Sequence, residues 1–276
     1  MKKILKSGIN SNMLKTIAII AMVIDHIGFY FVDAIPTSIY TTCRYIGRIA
    51  MPIFVYLLVQ GFFHTKSFKK YITRIGIFAL ITQALITLCM FINIKYIPGY
   101  IAAKQVYLNG NILFSFVISL GVLKILFEDI IIKKWTKNAN VILKVILVII
   151  LGLIAIIIPL DYGKEVFVLG MLLYYIERLK IQVFMSKNNP NNNLKNIVLN
   201  TISDEKVNLA YILLVFMALS MIVIYFNNSW IVLLSIIPIA LYNGKRGKIS
   251  MKYIYYIIFT LQHILLYSLA MVLTLT

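Results

Sequence analysis

The stretch LKTIAIIAMVIDHIGFYFV, residues 14–32, is apolar enough for a lipid-facing helix, yet it carries Lys15, Asp25 and His26. A helix that crosses a bilayer needs about 20 mostly apolar residues. An ionisable group inside that layer costs on the order of 2.5–3.5 kcal/mol on insertion scales and points by default to function. A run that keeps three such groups therefore marks both a membrane helix and a candidate site.

The rest of the chain agrees with a membrane setting. Of its 276 residues 61% are hydrophobic, and the mean hydropathy is +0.92. A soluble domain is roughly half apolar, and an excess of this size cannot be hidden in one core. The basic start and following apolar run have the look of a signal peptide. No small-residue cleavage site follows cleanly and many apolar runs come later, so the segment is read as the first transmembrane helix. Two cysteines, Cys43 and Cys89, are too few for a disulfide framework and form no CxxC motif. Neither their count nor their spacing demands a bridge, and their pairing stays open.

Apolar length and polar flanks place nine spans, at roughly 14–33, 44–63, 70–92, 108–127, 139–159, 162–178, 207–226, 229–243 and 253–275. The expected fold class is an all-α polytopic helix bundle forming one membrane-embedded domain over residues 1–276. With the N-terminus cytoplasmic and the C-terminus outside, all but five of the 27 Lys and Arg fall on the inner side. The five are Arg44, Arg48, Lys95, Lys104 and Lys164. The net charge of +18 then faces anionic lipid or an anionic ligand. No basic stripe interleaved with exposed aromatics points to nucleic acid. The segment SKNNPNNNLKN, 186–196, reads as a polar low-complexity loop. No internal repeat is visible.

Helix geometry organises the charged residues. Lys15 and His26 are eleven residues apart, which returns to within roughly 20° of one face about 16 Å further along the axis. Lys252 and His263 repeat that spacing in the last span, so His26 and His263 are expected at similar depth. Asp25 points about 100° away from His26, and its expected partner is Arg48, or Arg44, which share a face at i, i+4. Pro52 in GRIAMPIF removes the helical partner of the Arg48 carbonyl and predicts a kink. Lys15 and Arg74 lie slightly inside the helix ends, positions that suit a phosphate-binding mouth, and Lys245 and Arg246 share that surface.

These pieces suit a ligand with a polyphosphate head on the cytoplasmic cations and a long thin tail running to the histidines. Acetyl-coenzyme A has that form. A neutral imidazole at its thioester can take a proton from an incoming hydroxyl or amine, or carry the acyl group briefly itself. The acceptor approaches from the outer side. The expected catalytic set is His26, His263 and Asp25. The expected donor-binding set is Lys15, Arg74, Lys245 and Arg246. Arg44, Arg48, His64 and Asn243 are expected to contact substrate or support the site. No metal is expected.

The stretches LKTIAIIAMVIDHIGF, RYIGRIAMPIFVYLLVQGFFHT, KKYITRIGIFALITQ, LNGNILFSFVISLG, DYGKEVFVLGML, LYNGKRGK and FTLQHILL cover most of the chain in order. They resemble the TraX family of membrane proteins, whose founding activity is acetylation of the N-terminus of F-type pilin. The layout also resembles the wider transmembrane acyltransferase-3 superfamily, in which a basic residue, ten intervening residues and a histidine mark the catalytic first helix. The resemblance implies that His26 is the catalytic histidine and Lys15 its donor-side partner, in a bacterial cytoplasmic membrane, with acetyl-coenzyme A as co-substrate and an exported peptide or glycan as acceptor. Two departures matter. FTLQH lacks an aromatic, proline-containing lead-in to His263, and lysine at position 15 is a less rigid phosphate fork than arginine. A transporter or export partner with a buried proton relay, or a structural subunit, are the competing readings.

Overall fold

The computed structural model describes residues 8–96, 109–128, 136–188, 205–226, 229–247 and 253–275. Helix dominates, and among the described residues extended pairing is limited to two isolated parallel bridges, Ile9 with Tyr242 and Gly110 with Leu160. The long helices are α1 (Ser11–Tyr30), α2 (Thr37–Gly47), α3 (Ala50–His64), α4 (Phe68–Tyr96), α5 (Ile112–Phe127), α6 (Lys137–Ile157), α7 (Gly163–Asn188), α8 (Glu205–Tyr225) and α10 (Ile254–Leu275). A 3₁₀ turn at Trp230–Ser235 runs into the five-residue α9 (Ile236–Ala240).

Helix starts follow local chemistry. The Asn10 side chain accepts from the Asn12 and Met13 N–H groups at 3.0 and 3.1 Å and begins α1. Asn111 accepts from Leu113 and begins α5, and Thr136 accepts from Ala139 and begins α6. Each satisfies an N–H that the first helical turn leaves without a partner.

Among the described residues six segments are long and apolar enough to cross a membrane, counting α2 and α3 together as one at Thr37–His64. The chain is an all-α polytopic membrane bundle. α6 presents Ile142, Val145, Ile146, Ile149, Ile150 and Leu153 outward, a contiguous apolar face far larger than water-soluble surfaces carry. Lipid is its solvent.

Four of the expected spans differ from the structure; one of them, 162–178, is the helix α7 (Gly163–Asn188), which is not among those six. The span at 44–63 is not one helix. It begins at Thr37 and breaks at Arg48–Ile49, where the Arg48 and Ile49 N–H groups bond three residues back, to Tyr45 and Ile46. Pro52 withholds the N–H that would have bonded the Arg48 carbonyl, so the chain tightens into a short turn there. The expected span at 229–243 is only the short Trp230–Ala240 unit, and that at 108–127 is the sixteen-residue α5. The polar loop expected at 186–196 lies, from 189 on, outside the described residues, as does Lys252.

In packing, α1 lies against α2, α3 and α10, while α7 binds together α3, α5, α6 and α8. α4 joins α5 to α10. Most of the buried side chains form one core, with Leu14, Ile53, Leu120, Leu169 and Leu219 fully enclosed. The α1–α2 approach is set by small residues. A Cβ on Gly47 would sit 2.1 Å from the Asp25 Cβ, and one on Gly28 would sit 2.7 Å from the Cys43 Cβ. Cys43 and Cys89 are free thiols.

Gly47→Ala is therefore expected to lower stability in detergent by about 1–3 kcal/mol. Gly76→Ala, whose Cβ would meet nothing nearer than 4.0 Å, is the control and should be neutral or slightly stabilising. Equal melting of the two variants would refute the close crossing.

Candidate functional site

A cavity of about 1120 Å³ runs between α1, α2, α3, α4, α5 and α10. Its two ends differ in chemistry. One end carries Lys15, Lys66, Lys70, Arg74, Lys245 and Arg246; the carboxylates that line it, Asp25 and Asp161, are elsewhere along it. His26 and His263 line the wall between.

The basic end is held together by aromatic rings and backbone. The Lys15 Nζ lies 5.5 Å from the centre of the Tyr255 ring and within electrostatic reach of Arg246 and Arg74. Arg74 is caged by Tyr71, Tyr253 and Tyr256, with its Cζ 5.6–5.9 Å from their ring centres. The 241–245 segment is tied to the start of α1: the Ile9 N–H donates to the Leu241 carbonyl, and the Ser11 N–H to that of Lys245. Asn243 serves this tie. Its Nδ2 donates to the Gly8 carbonyl at 3.1 Å, its Oδ1 accepts from the Lys245 N–H at 3.0 Å, and its side chain is not among the cavity-lining groups. His64 lines the cavity, its Nδ1 bonded to the Gln60 carbonyl at 2.7 Å.

The two deep histidines meet. Their ring centroids are 4.5 Å apart with the planes tilted by 46°. Tyr30, one helical turn beyond His26, places its hydroxyl 2.8 Å from the His263 Nδ1. That bond fixes the ring's orientation, and whichever group donates determines the tautomer. The His26 Nδ1 and the His263 Nε2 are buried without a hydrogen bond, and the Gln262 side chain lies beside His26. Phe259 meets His263 edge-on at 5.2 Å. The pair is thus a polar spot in a largely apolar wall.

Asp25 turns away from His26, as one residue of helix requires. Its partner is Arg44, with Nη1 2.7 Å from Oδ2. Arg44 is one of the two partners expected from the sequence; the other, Arg48, is instead hydrogen-bonded to the Tyr162 hydroxyl and lies over that ring at 5.6 Å. The helix tightens at Arg48–Ile49, ending the regular i, i+4 register, and the Arg48 side chain meets the segment that precedes α7.

Several groups at the site were not singled out from the sequence. Tyr30 carried a signal, being four residues after His26 and so on the same face. Asp161 and Tyr162 stand in a segment quoted above without a role. A second buried polar cluster was also missed. Gln60 Nε2 donates to Glu177 Oε2 at 2.9 Å, Lys180 Nζ lies 3.7 Å from Glu177 Oε1, and the same Nζ sits 4.0 Å over the Tyr211 ring. Glu177 and Lys180 are 1% and 6% exposed, although the expected span 162–178 put Glu177 at its very end and Lys180 beyond it. Among the described residues no three His, Cys, Asp or Glu side chains gather as metal ligands.

The TraX protein profile matches residues 10–189, which contain α1 to α7 and every cavity residue named above except those on the 241–246 segment and α10. This chain belongs to the TraX family. It is 31% identical over 166 residues to a protein of Dichelobacter nodosus named "Probable fimbrial assembly protein FimC, serogroup H1", covering 60% of this chain and 62% of that one. It is 34% identical over 108 residues to an uncharacterized protein of Rickettsia prowazekii (strain Madrid E), covering 38% of this chain and 40% of that one. The chain thus spans less than two thirds of the length of either relative. No solved structure matches.

The Asp25–Arg44 pair is part-buried, so removing one partner strands the other charge at a cost of up to about 3–5 kcal/mol. Arg44→Met should accordingly destabilise this TraX protein more than the double variant Asp25→Asn/Arg44→Met does, as read by chemical or thermal unfolding in detergent. Additive losses would show that the two side chains do not interact.

Proposed function

We propose that this protein is a membrane-bound acetyltransferase that moves an acetyl group from cytoplasmic acetyl-coenzyme A to an exported acceptor. The observation that carries the reading is the continuity of one cavity from a cluster of cations to a pair of imidazoles that line it, His26 half-buried and His263 buried. A nucleotide with several phosphates suits Lys15, Arg74, Lys245 and Arg246, because charge-assisted hydrogen bonds to phosphate are the strong ones. The pantetheine arm follows the apolar wall, and the thioester reaches His26. Positive-inside bias puts the basic end in the cytoplasm, and the acceptor enters from the other end. The family and the fimbrial name of the Dichelobacter relative support an acceptor at the bacterial cell surface, a pilin-like peptide amine or a glycan hydroxyl, and a place in the cytoplasmic membrane.

In this reading the acceptor's oxygen or nitrogen attacks the thioester carbonyl carbon. His26 takes the proton that the nucleophile loses. The tetrahedral intermediate collapses with cleavage of the carbon–sulfur bond, and the proton passes to the leaving thiolate. His263, set by Tyr30, stands 4.5 Å away, close enough to orient and polarise His26. General-base help of this kind contributes about 10²–10⁴-fold in rate.

Thermal unfolding of the purified protein titrated with acetyl-coenzyme A tests the donor site. A ligand at 100 times its Kd stabilises by about 2.7 kcal/mol. The shift should weaken with dephospho-coenzyme A and with Arg74→Ala. No shift at millimolar ligand in a folded protein would favour the transporter reading. In a second test, His26→Ala should keep the donor-induced shift and lose transfer by about 10²-fold or more. Undiminished transfer would remove His26 from the chemistry.

A further inference from the structure

Asp161 is the cavity-lining carboxylate that the mechanism leaves unused. Asp25 is already ion-paired with Arg44, whereas among the described residues Asp161 forms no salt bridge. Its side chain is open to the cavity, and it stands within electrostatic reach of Asp25, the chain neighbour of His26.

The backbone that presents it is held at three points. The Asp161 N–H donates to the Gly110 carbonyl at 2.8 Å. Its carbonyl accepts from the Ser115 hydroxyl at 2.7 Å. The next residue, Tyr162, has φ +53°, a left-handed conformation that is an outlier for a bulky side chain. Such a residue persists only where its surroundings over-determine it, and such sites cluster around function. Here Arg48 grips the Tyr162 ring and hydroxyl. The same grip turns the Arg48 guanidinium to the tyrosine.

We propose that Asp161 is the acceptor anchor, a carboxylate that ion-pairs with a primary ammonium and so directs the site to amines over hydroxyls. This rests on the acetyltransferase reading above. The chemistry balances. The bound ammonium first gives one proton to Asp161, which releases it to the outer solvent. The free amine then attacks the thioester carbonyl, forming the carbon–nitrogen bond. Its second proton passes through His26 to the thiolate as the carbon–sulfur bond breaks. The products are an amide, the free thiol and one released proton. Desolvation at the cavity wall, and secondarily the Asp25 charge, push the Asp161 carboxyl up to about 6, a value suited to taking up and releasing a proton near neutrality. Arg44 and Arg48 oppose that rise, and Glu165 adds to it. Tyr162 also faces the group.

The experiment uses the full-length protein in detergent with acetyl-coenzyme A and two probes, alaninamide and lactamide, which differ by an amine in place of a hydroxyl. The wild type should favour alaninamide at least tenfold in kcat/KM. Asp161→Asn should raise the alaninamide KM about tenfold or more and lower kcat, because it removes both the anchoring charge and the acceptor of the first proton, while lactamide use changes far less and the donor-induced thermal shift persists. Independently of any variant, the wild-type KM for alaninamide should rise as pH falls through about 6, because protonation removes the anchoring charge, while that for lactamide stays level. Equal use of the two probes, transfer to neither by a protein that binds the donor, an unchanged KM in a folded Asp161→Asn, or a flat pH profile would each overturn the anchor. Loss of donor binding in the wild type would instead overturn the acetyltransferase reading beneath it.

Discussion

The crossing of α1 and α2 at Gly47 is the constraint on which the site depends. Two helices can approach this closely only where one contributes no side chain, and Asp25 fills the space that a Cβ would need. The approach brings the Asp25 carboxylate against Arg44 and neutralises two charges in a low-dielectric setting, where an isolated charge would be prohibitively costly. It also fixes the rotation of α1. With Asp25 committed to α2, the neighbouring His26 faces the cavity and α10, where His263 waits. Ion pair and histidine pair are thus two consequences of one helix orientation.

The break at Arg48–Ile49 has a comparable reach. A continuous helix would have kept Arg44 and Arg48 on one face and set both against Asp25. The missing Pro52 N–H and the tightened turn release Arg48 to Tyr162. The far end of the cavity therefore has one arginine neutralising Asp25 and another holding the segment that carries Asp161. The basic end is built differently, from aromatic cages and a backbone tie between the start of α1 and the 241–245 segment. Rings hold these cations in place without neutralising them, which leaves their charge available to a ligand.

The sequence foretold much of this. Apolar excess and span length give a membrane helix bundle, since lipid-exposed backbone must bond within its own helix. The eleven-residue spacing of Lys15 and His26 puts both on one wall, because helical phase is local and survives packing. The matched depth of His26 and His263 follows from span positions and is met by rings 4.5 Å apart. The kink at Pro52 follows from a missing donor. Among the described residues six of the nine expected spans are helices long and apolar enough to cross a membrane; the run at 162–178 is not among them, and those at 108–127 and 229–243 are a helix of 16 residues and a short Trp230–Ala240 unit.

What the chain by itself determined is its class, its lipid-facing surfaces and which residues each helix presents on one side. Periodicity and transfer cost are properties of a segment and its solvent, so they can be read without neighbours. What only the tertiary structure decided is partnership: Asp25 with Arg44 rather than Arg48, Tyr30 with His263, Gln60 with Glu177 and Lys180, and Asp161 turned into the cavity. Each joins residues far apart in the chain. Whether two such groups meet depends on how closely and at what rotation helices pack, which is set by small contacts such as Gly47 on Asp25 and by one tyrosine held at positive φ. No window of sequence contains both sides of those contacts.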